Sequence, residues 1–127
     1  MMSAQPNKMK KGKKVTQASK ADKYDLYQQS VQSPEFEAEF MAKSFKKHYK
    51  REATILREDF CGTHAVCCEW LKKGKADRQA WGVDLDPEPL AWGKENNQDN
   101  LSEGQKERLH LVEGNVLTAQ TPLADVI

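Results

Sequence analysis

The sequence predicts an α/β domain, a parallel sheet flanked by helices, of which this chain carries the first half. Three observations lead there. Short apolar runs alternate with stretches of helical periodicity, which is the order of a parallel sheet with crossover helices. A helix start, Asp86-Pro87, follows directly on the second of these apolar runs. The last residues, Ala124-Asp125-Val126-Ile127, open a further strand pattern, so the reading expects a fragment or short isoform of a longer sheet.

The 127 residues are 38% hydrophobic and 31% charged, which allows one domain of ordinary size. No run approaches the roughly 18 apolar residues that cross a bilayer, so no membrane partner is expected. Residues 1–20 hold six lysines and no acid, without an apolar segment of the secretory kind. The expectation is a disordered, lysine-rich, solubilising tail. The remaining residues carry 14 basic and 19 acidic groups, a net of −5. Cys61, Cys67 and Cys68 are too few for a disulfide framework and match no zinc spacing. They fit a reducing, cytoplasmic setting, with Cys67 and Cys68 acting as small apolar residues on a helix.

Residues 21–52 are expected to form N-terminal helices. Asp22 can cap the first, whose apolar set is Tyr24, Leu26, Tyr27 and Val31. Ser33-Pro34-Glu35-Phe36 starts the second, with serine at the cap and proline at the first helical position. Phe36, Phe40, Met41 and Phe45 follow at helical spacing. These are packing helices; the alternative is a lid over a cleft that uses Tyr24 and Tyr27.

Residues 53–60 read as the first strand, broken at Cys61-Gly62-Thr63. A helix over 63–73 follows, with Val66, Cys67, Trp70 and Leu71 on one face and Lys72-Lys73-Gly74 as its stop. The second strand is 80–85. Asp86 and Pro87 then start a helix that runs to about Asn100. A third strand covers 108–113.

Candidate binding residues sit where three strands end. After the first, a glycine turn leads into a helix N-terminus, which would offer free backbone N–H groups to a ligand. Asp84 ends the second, where a carboxylate can accept from both hydroxyls of a ribose. Gly114-Asn115-Val116 follows the third. There an asparagine carbonyl can accept from an adenine amino group while a neighbouring N–H serves a ring nitrogen. A turn, a ribose acceptor and an adenine acceptor in order fit an adenosine-containing ligand. An NAD-dependent oxidoreductase is disfavoured, because Gly62 stands alone where G-x-G-x-x-G would be needed.

At these residues the chain resembles the class I S-adenosylmethionine-dependent methyltransferases. Glu58-Asp59-Phe60-Cys61-Gly62-Thr63 is similar to a first motif that many members write E-x-x-C-G-T-G. Gly82-Val83-Asp84-Leu85-Asp86-Pro87-Glu88 resembles the second, Gly114-Asn115-Val116 the third, and Ala124–Ile127 the opening of the fourth. The resemblance covers residues 53–127 and implies a Rossmann-like methyltransferase fold, truncated after the start of the fourth strand, with S-adenosyl-L-methionine as cofactor. It implies that Glu58 organises the turn and holds the cofactor's amino group. Backbone at Cys61 and Gly62 would face the methionine moiety. Asp84 would bind the ribose, Leu85 would pack on the adenine, and Asn115 and Val116 would read its edge. Catalytic side chains and metal ligands are not indicated, and the methyl acceptor stays open among small molecules, proteins and RNA. One departure is His64, where the family prefers glycine or alanine. An imidazole there either crowds the cofactor or lies outward on the first helical turn. The alternative function is a non-catalytic interaction protein derived from such a half-domain, self-associating through an exposed sheet edge.

Overall fold

The structure is a computed structural model and describes residues 23–24, 33–74 and 77–127. The chain divides into two compact units, Met1–Ser33 and Pro34–Ile127. In the first unit Lys23 and Tyr24 are helical. The lysine-rich tail and Leu26, Tyr27 and Val31 of the first expected helix lie outside the described residues.

The second unit begins with helix α1, Pro34–Tyr49. Glu35 and Glu37 occupy its first turn and Lys46, Lys47 and His48 its last, the arrangement the helix dipole favours. Ala38 and Phe45 are buried, with Met41 and Ala42 packed beside them. Phe36 and Phe40, expected on the packing face, are exposed and stack on each other at 6.1 Å. The reason is angular. Positions 38, 41, 42 and 45 form one stripe, while 36 and 40 lie about 200° round the helix from Ala38.

Strand β1, Ile55–Asp59, leads through a turn into helix α2, Ala65–Lys73. Strand β2, Gln79–Asp84, leads into helix α3, Pro87–Asn96. A single 3-10 turn, Gln98–Asn100, and the short helix α4, Glu103–Glu107, precede strand β3, Leu109–Glu113. Helix α3 starts as its sequence dictates: the Asp86 side chain accepts from the Glu88 N–H, and Pro87 takes the first position. Helix α4 was not expected, although Ser102 and Gln105 form a complete capping box around its first turn.

The three strands are parallel in the order β1-β2-β3. Residues 124–126 return to the other side of β1, where Val126 bridges Leu56 in parallel and accepts the Arg57 N–H at 2.9 Å. The chain therefore reverses its direction of travel across the sheet at β1. In open α/β sheets that is the switch point beside which ligands bind, outside the carboxyl ends of the strands.

One apolar core holds these pieces together. Trp70, Leu71, Cys67 and Cys68 of α2 meet Leu56, Ala80, Ala38, Phe45 and Leu101. Trp70 is fully buried, and the Arg78 guanidinium stacks on its ring at 4.1 Å while donating to the Trp70 carbonyl at 3.0 Å. All three cysteines are free thiols. Burial pushes the Cys68 thiol up to about 12 and raises Cys61 and Cys67 too, which keeps them protonated packing residues. Among the described residues no helix is long and apolar enough to cross a membrane.

Candidate functional site

The turn between β1 and α2 has an uncommon backbone. Phe60, Gly62 and His64 all have positive φ, at 57°, 57° and 47°. Glycine accepts this region freely, but Phe60 and His64 carry a Cβ into it at a cost. Strain of this kind persists only where surrounding contacts over-determine the path, and those contacts are visible. The Cys61 N–H donates to the Val83 carbonyl at 3.0 Å, which extends the sheet ladder. The Gly62 N–H donates to Asp84 Oδ2 at 2.7 Å. The His64 ring is fully buried against α3, with its Nε2 3.1 Å from Gln98 Nε2. It neither crowds the turn's open side nor lies outward. It fits because position 93 is glycine: a Cβ there would come within 2.5 Å of the ring and 2.3 Å of the Thr63 carbonyl. Burial lowers the imidazole pKa to about 4, so the ring is neutral.

Glu58 points from β1 to the start of α2. Helix α2 has no side-chain cap from His64, and the Glu58 carboxylate supplies one from across the turn. It accepts from the Cys67 backbone N–H and, at 3.2 Å, from the Cys67 thiol. Burial raises the Glu58 pKa to about 7; the Cys67 bonds oppose that, and the charges of Glu37 and Asp84 add to it. Carboxylates from α1, β1 and β2 thus concentrate negative potential over the switch point.

Asp84 stands at the end of β2, with the turn on one side and α3 on the other. Oδ2 accepts from Gly62 and Oδ1 from the Asp86 N–H at 2.9 Å. A carboxylate has about four acceptor positions, so one remains on each oxygen. Two vicinal hydroxyls need that number. Leu85 follows with 69% of its surface exposed. The turn's N–H groups at Cys61 and Gly62, expected free, are instead bonded within the protein, because Val83 and Asp84 lie close enough to accept them.

The third strand end is also pre-set. The Gly114 N–H donates to the Asp84 carbonyl at 2.9 Å, which fixes the exit of β3 beside that of β2. Asn115 is exposed, and its Oδ1 accepts from the Leu117 N–H at 2.8 Å in a side-chain turn. One lone pair of that carbonyl remains. The Val116 carbonyl accepts from Arg57 Nη2 at 2.7 Å. The expected residues Glu58, Cys61, Gly62, Asp84, Leu85, Asn115 and Val116 therefore all stand at or just beyond one end of the sheet. Sequence reasoning missed Phe60, 75% exposed beside the turn, and Arg57. The signal for Arg57 was an arginine and an acid two residues apart on one strand face. Among the described residues no group of three His, Cys, Asp or Glu side chains is placed to hold a metal ion.

No protein-family model matches the chain, and no curated protein matches it. Solved structures do. The plantazolicin methyltransferase BpumL, in complex with a triazolic desmethylPZN analog and SAH, superposes with a TM-score of 0.62 at 10% identity. That match covers 84% of this chain and 38% of that one. The plantazolicin methyltransferase BamL, also in complex with a triazolic desmethylPZN analog and SAH, gives 0.55 at 15% identity, covering 79% and 34%. The chain spans little more than a third of the length of these enzymes. Three parallel strands, their flanking helices and the return of the chain to β1 thus share the Rossmann-like fold of these methyltransferases over about a third of their length.

Proposed function

We propose that this chain binds S-adenosylmethionine at the carboxyl ends of its strands and serves methyl transfer. The observation that supports this most is the 2.7 Å bond from the Gly62 N–H to the Asp84 carboxylate. It draws the glycine turn and the strand-end acid, 22 residues apart in sequence, to one point, with two acceptor positions left for a ribose. The electrostatics agree. Glu37, Glu58 and Asp84 favour a cationic ligand, and the cofactor carries a sulfonium and an ammonium. Bound there, it would supply a methyl group whose leaving group is a neutral thioether. The chain's own part is binding and orientation: Asp84 toward the ribose, Asn115 and Val116 toward the adenine, Leu85 against its face. Holding the methyl group in line with an acceptor is the main device such a site needs.

Calorimetry of S-adenosylhomocysteine against the 127-residue chain tests the reading, with Asp84→Ala as its partner. Saturable binding that weakens about tenfold or more in the variant is the expected result. A folded chain that takes up no ligand sinks it. A second reading rests on β3, whose outer edge has no strand beside it among the described residues. Under that reading the half-domain is an interaction module that pairs through this edge. A dimer in sedimentation that ignores S-adenosylhomocysteine would favour it.

A further inference from the structure

Arg57 lies in the middle of β1 with only 15% of its side chain exposed, and three groups hold its guanidinium. Nε donates to Asp59 Oδ1 at 2.6 Å, Nη1 to Thr121 Oγ1 at 3.0 Å, and Nη2 to the Val116 carbonyl at 2.7 Å. Two of these partners belong to the segment that leaves β3 and crosses to the far side of β1. Arg57 therefore grips that crossing from below while it passes the switch point.

The grip continues one step further. The peptide unit joining Val116 to Leu117 is bonded at both ends, its carbonyl to Arg57 and its N–H to Asn115 Oδ1. Rotating that peptide would break both bonds together. The orientation of the Asn115 amide is thereby coupled to a guanidinium on another strand. An exposed asparagine in a loop would otherwise sample several rotamers, and a base edge is read only by groups held in place.

We propose that Arg57 is a positioning residue for base recognition: through the Val116–Leu117 peptide it fixes Asn115 in the one orientation that reads an adenine edge. The inference rests on the cofactor reading above and adds to it a determinant of base specificity that touches no ligand. Lysine replaces this arginine only in part, because one ammonium cannot span Thr121 and Val116 in a fixed fork.

Competitive calorimetry with S-adenosylhomocysteine and S-inosylhomocysteine tests it. The inosine analogue exchanges the amino donor for a carbonyl and the ring acceptor for an N–H, and leaves ribose and amino acid unchanged. The wild-type chain should prefer the adenosine ligand by about tenfold or more. Arg57→Ala should cut that preference to about threefold or less while binding of the inosine ligand stays close to wild type. Arg57→Lys should recover part of it. Thr121→Val, which removes one anchor and buries no charge, should lower it about twofold and carries the test if the alanine variant does not fold. An unchanged preference in folded Arg57→Ala overturns the inference, as does equal weakening of both ligands, which would mark a merely structural arginine. A wild-type chain that binds neither ligand overturns the cofactor reading itself, whereas one that binds both equally overturns only the role given to Asn115 and Arg57.

Discussion

The two ends of the sheet treat a carboxylate in opposite ways. At the amino end of β1, Asp125 accepts from the Thr54 and Ile55 N–H groups, the Thr54 hydroxyl and Arg51. Burial pushes its pKa up, but Arg51 and these donors outweigh that and hold it at about 2. At the carboxyl end, burial raises Glu58 to about 7; the bonds from Cys67 oppose that rise without cancelling it, and the charges of Glu37 and Asp84 add to it. One end has its polar needs met within the chain. The other keeps negative charge and three positive φ angles in a single turn, where the amino end has one, at Lys50. Strain and unspent charge gathered at one end mark that end as the place for a ligand and the other as an anchor.

The largest effect expected from breaking this contrast is at the anchor. Asp125→Ala leaves two strand N–H groups and Arg51 without their acceptor and should cost about 3 kcal/mol in urea unfolding. The sign with pH follows from a lowered folded pKa. The stability Asp125 gives is complete above its ordinary value of 3.8 and is lost as pH falls through about 2. Ligand affinity, measured on folded protein, should not move. If Asp125→Ala weakened S-adenosylhomocysteine as much as it weakened the fold, the two ends would not be separate in role.

Glu58→Gln should act in the other direction. A folded pKa raised from 4.5 to about 7 means that ionised Glu58 opposes folding. Its contribution is complete below 4.5 and is lost as pH rises through 7. The glutamine variant should thus match wild type near pH 5 and exceed it by about 2 kcal/mol at pH 8. The wild-type curve alone does not isolate this. His64, neutral with a pKa lowered from 6.5 to about 4, gives stability that is complete above 6.5 and lost as pH falls through 4. The two groups oppose each other over the same window, so the difference between variant and wild type is the quantity to plot. Cofactor affinity should fall as stability gains, and a gain in both would remove Glu58 from the ligand site.

Much of this plan was legible in the sequence because its signals are local. Ser33-Pro34 and Asp86-Pro87 start helices, and three β-rich runs gave strands correct to within two residues at each end. Glu58, Gly62, Asp84 and Asn115 could be expected at one end of the sheet because strand ends of a parallel sheet converge. What escaped depends on partners distant in sequence. Asp125 read as part of a fourth motif, but its structural work is with Arg51 and Thr54, more than 70 residues away. His64 could not be placed without knowing that Gly93 leaves room for it. Arg57 looked like any strand-face charge until the crossing segment came to lie over it. Helix α4 was a different kind of miss: Ser102 and Gln105 advertise it, but five residues give no apolar period to notice.

The smallest effect separates strain from packing at the ligand end. Phe60 has φ 57° and is 75% exposed, so it loses conformational freedom and gains little burial. Phe60→Gly would remove the steric penalty of a left-handed phenylalanine, about 1–2 kcal/mol, and add back the greater chain entropy of glycine, about 0.5–1 kcal/mol. A net gain of about 0.5–1 kcal/mol in urea unfolding is expected. Phe60→Ala keeps the penalty and loses only an exposed ring, so it should stay within about 0.5 kcal/mol of wild type. The glycine-minus-alanine difference therefore measures the relief of backbone strain net of glycine's greater chain entropy. A glycine variant less stable than the alanine variant by about 0.5–1 kcal/mol, the entropy cost with no strain relieved, would mean that the turn relaxes out of its left-handed path. The contrast between the two ends would then reside in Glu58 and Asp84, with no share carried by the backbone.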